Sequence, residues 1–150
     1  MQLTTNRLII IPCTKSVLKS ISRKEDFKAG PHINTYIENL TEDASLLGWG
    51  VWLVTNRDSN IIIGDIGFKG KPDSDNTVEI GYGIISSAQN KGYATEAVTE
   101  IIKWAFTFEN VTKIVAECHD ENLASIKVLE KLHMKMTGSE KKMLKWELEK

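Results

Sequence analysis

Val78-Glu79-Ile80-Gly81-Tyr82-Gly83-Ile84, continuing through Ile85-Ser86-Ser87-Ala88-Gln89-Asn90-Lys91-Gly92-Tyr93-Ala94, changes its apolar period partway along. In the first half Val78, Ile80, Tyr82 and Ile84 alternate with Glu79, Gly81 and Gly83, which is the two-residue period of a strand. Beyond the turn, Ala94, Ala97, Val98, Ile101, Ala105 and Phe108 recur at three- and four-residue steps, the apolar stripe of a helix. A strand therefore feeds directly into a long helix through a short, polar, glycine-bearing loop.

Working outward, Lys113 to Cys118 reads as a strand, and Asn122 to His133 as a helix with Ile126, Leu129 and Leu132 on one side. Leu144, Trp146 and Leu148 alternate in a closing strand. Toward the N-terminus, Ile61 to Phe68 and Trp49 to Thr55 flank the turn residues Asn56-Arg57-Asp58-Ser59-Asn60 and form a hairpin. Arg7 to Ile11 is a β-branched strand stopped by Pro12, and Thr14 N-caps a helix drawn from Thr14 to Lys24. A second short helix runs from Ile33 to Leu40, set off by Ala29-Gly30-Pro31. The expected fold is α+β: one domain over residues 1–150, with a mixed, largely antiparallel twisted sheet and helices on both faces. The helix between two late strands implies one locally parallel pairing.

The chain has 150 residues, 41% hydrophobic and 26% charged, which suits a single globular core. Nineteen basic residues against twenty acidic ones leave a formal charge of −1, so neither nucleic acid nor an anionic membrane is an expected partner. Apolar runs such as Leu8 to Ile11 fall far short of the ~20 residues of a membrane span. The opening lacks the basic-then-apolar order of a secretory signal, and Cys13 and Cys118 read as reduced thiols, so the expected location is the cytoplasm.

The chemistry centres on the loop. A helix start leaves its first N–H groups unpaired and carries partial positive charge, and Gly92 admits close approach of a ligand to the backbone. Those features suit a pyrophosphate, with Lys91 adding a charge. Taken alone, a plain strand-to-helix connection is the commoner reading of so short a pattern. Its neighbours are an acidic residue, Glu79, on the minority face of the preceding strand, and Asn122 and Ser125 opening a later helix.

With those neighbours the sequence resembles the GNAT superfamily of acetyl-CoA-dependent N-acetyltransferases. Gln89, Gly92 and Ala94 match its signature Gln/Arg-x-x-Gly-x-Gly/Ala, and Asp120 to Leu132 is similar to its second cofactor motif. The opening Leu3-Thr4-Thr5-Asn6-Arg7-Leu8 is similar to the branch that contains ribosomal-protein N-terminal acetyltransferases. The resemblance implies that backbone amides of Gln89, Asn90, Lys91, Gly92, Tyr93, Ala94 and Thr95 hold the CoA pyrophosphate. It further implies that Ile84 and Ile85 pair with the pantetheine arm, and that Asn122 and Ser125 contact its far side. Glu79 is then the general base, acting through a water on a primary amine that attacks acetyl-CoA directly in a ternary complex, without a metal. The motif's usual tyrosine, a general acid, is replaced by Leu129, which leaves solvent or Ser125 to protonate the thiolate. A homodimer is compatible with this reading, and a non-catalytic acyl-CoA-binding sensory domain is the alternative.

A base has work to do when the acceptor is an alkyl amine. At a pKa of ~10.4 only about 0.1% is unprotonated near neutrality, a deficit of roughly 4 kcal/mol. Trp49 and Trp52 are read as core before pocket, His32 and His133 as isolated surface or packing residues, and Glu38, Glu42 and Asp43 as a solvated helix face.

Overall fold

The computed structural model describes residues 1–23 and 27–150. In chain order the elements are β1 (Leu3–Thr4), β2 (Leu8–Pro12), α1 (Lys15–Ser20), β3 (Ser22–Arg23), α2 (Pro31–Glu42), β4 (Val51–Asn56), β5 (Ile61–Phe68) and β6 (Thr77–Ile84). There follow α3 (Tyr93–Ala105), β7 (Lys113–His119), α4 (Leu123–Lys131), β8 (Lys135–Glu140) and β9 (Met143–Glu149).

Local chemistry sets the helix starts. The Thr14 side chain accepts from Val17 N at 3.1 Å and caps α1. Pro31 opens α2, where its fixed φ suits the first turn and its missing N–H costs no bond. Asn122 caps α4 by accepting from Ser125 N at 3.1 Å.

The sheet runs β1-β2-β4-β5-β6-β7-β9-β8, with β3 set beside the start of β5. Pairings are antiparallel except β6 with β7 and β3 with β5. The parallel β6–β7 pair is the one joined by α3, as a helical crossover requires.

Each face of the sheet buries its own core. On one side Ile66, Phe68, Val78 and Ile80 meet Ala97, Val98, Ile101, Ile102 and Ala105 of α3. On the other, Val51, Leu53 and Ile62 meet Leu18 of α1 and Ile33 and Tyr36 of α2, together with Phe27. Burying each large aliphatic side chain contributes roughly 1.5–3 kcal/mol, so both layers hold the sheet between helices. Trp49, Phe68, Trp104 and Phe108 cluster at the end of α3, with Trp49 and Trp104 ring centroids 4.8 Å apart.

The mixed sheet with helices on both faces matches the expectation. Three strands are additional. β1 is two residues long, β3 interrupts the helix expected to continue from Thr14, and β8 is exposed along its whole length. The helix ends at Ser20, and Ile21 turns extended and buried; Lys24, the expected end, lies outside the described residues.

Candidate active site

β6 and β7 pair only over Thr77↔Lys113, Val78↔Ile114 and Glu79↔Val115. Past Glu79 they separate, β6 following β5 to Ile84 and β7 following β9 to His119. Glu79 O accepts from Lys69 N at 2.9 Å and Ile85 N donates to Ile63 O at 2.9 Å, so alternate residues of β6 bond toward β5. The intervening residues Tyr82 and Ile84 therefore direct their backbone groups into the gap beside β7. One is already answered: the Gln89 side chain donates to Ile84 O at 2.9 Å, folding the loop back over the strand end.

The loop is shaped by two left-handed residues, Asn90 at φ 63° and Gly92 at φ 81°. Gly92 is the N-cap of α3, and its carbonyl accepts from Glu96 N at 3.1 Å. Tyr93, Ala94 and Thr95 occupy the first turn, where N–H groups have no intrahelical acceptor. A Cβ on Gly92 would meet the Arg7 guanidinium at 3.3 Å, in a conformation that side chains disfavour.

Arg7 braces this turn from the other end of the chain. Its Nε donates to Glu96 Oε1 at 2.7 Å and its Nη1 to Lys91 O at 2.9 Å, and its Cζ lies 4.3 Å above the centre of the Tyr93 ring. The Thr5 hydroxyl donates to Glu96 Oε2 at 2.5 Å. Burial pushes the Glu96 carboxyl up, but the Thr5 and Arg7 hydrogen bonds together outweigh it and hold the group below its ordinary value. Arg7 thus neutralises a carboxylate that would otherwise oppose an anion at the helix start. Sequence reading missed this brace, because its partners are far apart and share no local pattern.

The gap and loop enclose a cavity of about 460 Å3. Of the residues expected at the cofactor, it is lined by Ile84, Gln89, Asn90, Gly92, Tyr93, Ala94, Thr95, Asn122 and Ser125. Ile85 is outside it, its N–H turned to β5, and Lys91 contributes a carbonyl to Arg7 while its side chain is exposed. Tyr82, which sequence reading did not single out, lines the cavity with its hydroxyl 3.5 Å from Ser125 O. Burial pushes its phenol up, more than the contact to Ser125 lowers it. Leu129 is 1% exposed, so the position at which the resemblance would expect a tyrosine belongs to the core.

A second cavity, of about 710 Å3, opens on the α2 side of β6. Gly67 lies on its floor, where a Cβ would strike Gly50 O at 1.9 Å, so only glycine lets β4 and β5 approach there. Tyr82 and Gly83 line both cavities, which makes this pair the junction between them. Trp49 lines the second cavity, whereas Trp52 is wholly buried. His32 is not isolated: its Nε2 is 3.1 Å from Asp65 Oδ1, and both line this cavity. Glu79 lines neither cavity; its Oε2 accepts from Lys69 Nζ at 2.7 Å, and Lys69 lines the larger one. Asp43 is committed elsewhere, to Ser45 and Lys71, contacts that hold it down to about 2.

Known proteins share this fold and much of this sequence. The chain is 38% identical over 106 residues to the uncharacterized N-acetyltransferase YjdG of Bacillus subtilis, covering 71% of this chain and 61% of that one. It is 39% identical over 88 residues to the uncharacterized N-acetyltransferase YnaD of the same organism, covering 59% of this chain and 51% of that one. The chain thus spans about half to three fifths of the length of these relatives. Its fold resembles the ribosomal-protein-S5-alanine acetyltransferase of Vibrio fischeri, with a TM-score of 0.80 at 18% identity, over 99% of this chain and 96% of that one. It also resembles RimL, a ribosomal L7/L12 alpha-N-protein acetyltransferase solved with coenzyme A, with a TM-score of 0.78 at 15% identity, over 99% and 98% of the two chains. No helix among the described residues is long and apolar enough to cross a membrane. A sequence profile described as the acetyltransferase (GNAT) domain matches residues 21–135, and with the parted strands and glycine-capped helix this makes the chain a member of the GNAT acetyltransferase family.

Proposed function

We propose that the protein transfers an acetyl group from acetyl-CoA to a primary amine by direct attack. The observation that carries this reading is the parting of β6 and β7 past Glu79, opening onto the helix start at Gly92. A strand edge with backbone groups to offer, followed by first-turn N–H groups, suits an extended arm ending in a pyrophosphate. The residues present fit acetyl-CoA on that ground: Tyr82 and Ile84 take the pantetheine arm, and the loop from Gln89 to Thr95 takes the pyrophosphate. Asn122 and Ser125 of the α4 start line the opposite wall.

The amine enters from the larger cavity and meets the thioester at Tyr82 and Gly83. Its nitrogen forms the new C–N bond, the C–S bond breaks, and CoA leaves as a thiolate. Glu79, four residues back along β6, receives through a chain of waters, once its ion pair with Lys69 loosens, the proton that an ammonium acceptor must lose before its nitrogen attacks, and the proton released as the C–N bond forms goes to solvent. The thiolate takes a proton from solvent or from the hydroxyl groups of Ser125 and Tyr82. The reading carries with it a cytoplasmic enzyme whose amine acceptor is a small molecule or a protein N-terminus.

Calorimetry with acetyl-CoA, followed by thiol release over a panel of amines, tests it. Micromolar binding with amine-dependent release supports the proposal, and no affinity for CoA or acetyl-CoA at millimolar levels overturns it. The leucine at position 129, where the family usually carries a tyrosine, motivates one other reading, a domain that binds acyl-CoA without catalysis. Tight binding with no release on any amine selects that reading.

A further inference from the structure

Asp65 is the only carboxylate among the described residues lining the larger cavity. It pairs in register with Gly83 across β5 and β6, and Gly83 lines both cavities. The acid is therefore directly across the sheet from the junction. Glu79 is four residues back along β6, about 13 Å at ~3.3 Å per residue. Glu79 is also engaged by the Lys69 ammonium at 2.7 Å, so using it as an anchor would mean breaking an ion pair.

We propose that Asp65, held by His32, seats the cationic form of the acceptor amine at this junction and selects acceptors that arrive charged. The proposal rests on the acetyl-transfer reading above and names its acceptor class: alkyl amines that are ammonium ions near neutrality. An alkyl ammonium leaving water for a cavity walled by Trp49, Phe68 and Tyr36 needs a counter-charge. The Asp65 side chain is 22% exposed, shielded enough for that charge to act at strength, while His32 at 58% faces the solvent. His32 engages Oδ1, and a carboxylate has acceptor capacity on both oxygens, so Oδ2 is the one offered to the ammonium. His32 thereby acts as a positioning residue that fixes the carboxylate's rotamer.

The test compares n-butylamine with O-propylhydroxylamine, which has nearly the same shape and is uncharged near neutral pH. With wild type and Asp65→Asn, thiol release is followed at saturating acetyl-CoA. The variant should raise KM for n-butylamine about 10- to 100-fold, the loss of one charge-assisted hydrogen bond. KM for O-propylhydroxylamine should move by less than about twofold, because that acceptor brings no charge to lose. Equal shifts for both acceptors, or none for either, overturn the seat even though acetyl transfer itself stands. A second readout needs no turnover: backbone NMR of the CoA-bound protein titrated with n-butylamine. Shifts at Gly83 and His32 that vanish in Asp65→Asn support the seat, and their absence in wild type overturns it. Amine-induced shifts without thiol release on any amine would remove the acetyl-transfer reading and leave the seat intact.

Discussion

Arg7 Nε donates to Glu96 Oε1 at 2.7 Å, tying the segment before β2 to the first turn of α3 across 89 residues of sequence. The same guanidinium holds the Lys91 carbonyl and covers the Tyr93 ring, so one side chain fixes the loop that precedes the helix. Arg7→Ala should weaken acetyl-CoA binding by about tenfold, from a looser loop and an unneutralised Glu96 at the helix start. Calorimetry reads this directly; unchanged affinity would confine the brace to folding.

The same pair makes a prediction about acid. Glu96 is held below its ordinary value, so its unfolded form binds a proton more readily than its folded form. Its contribution is then fully present above the ordinary carboxylate value of about 4.3 and is lost as pH falls through the lower folded value. Glu96→Gln should destabilise the protein at neutral pH and do so progressively less below about pH 4. Denaturant melts of both proteins at several pH values check this, and a constant difference would contradict it.

Much of the fold was legible because its core strands and helices announce themselves by period. Ile61–Phe68 matches its expected bounds, and the alternation through Val78 and Ile80 has both residues buried as read. β8 was hidden because Lys135–Glu140 is exposed throughout and its only large apolar residue is Met136, leaving no alternation to detect. Ile21 was read as helical from spacing, yet its burial arises in an extended segment, a case of tertiary packing overriding local pattern. At the site, the loop and α4 residues belong to contiguous motifs, and most of those singled out from sequence line one cavity. Arg7 with Glu96, and His32 with Asp65, meet only through the sheet, so no spacing rule could reveal them.

Gly92→Ala is expected to cost about 1–2 kcal/mol of stability, since an L side chain at φ 81° is strained. The new methyl would also press on Arg7, 3.3 Å away, and disturb the brace. Both effects act on the same turn, so acetyl-CoA affinity should fall with stability. Thermal melts with and without acetyl-CoA separate them: a variant that is destabilised yet gains the wild-type ligand shift would refute the link to binding.

Glu79→Gln should lower turnover by roughly 10²- to 10⁴-fold, the range of positioned proton transfer, while acetyl-CoA affinity changes little. The loss should be greatest for alkyl amines and smaller for acceptors already unprotonated at neutral pH. Equal activity of variant and wild type from roughly pH 6 to 9 on the true acceptor would remove Glu79 from the reaction.

Leu129 offers a test of where the leaving group's proton originates. Its side chain is 1% exposed and packed in the core beneath α4, whereas the Tyr82 hydroxyl lies in the groove 3.5 Å from Ser125 O. Leu129→Tyr therefore enlarges a filled site without delivering a hydroxyl to the groove. It should cost about 1–3 kcal/mol through overpacking and leave turnover at or below the wild-type rate. Chemical denaturation and thiol release measured on one preparation check both halves. A variant of ordinary stability with faster turnover would mean that α4 can still present an acid from position 129, and that solvent, Ser125 and Tyr82 do not suffice.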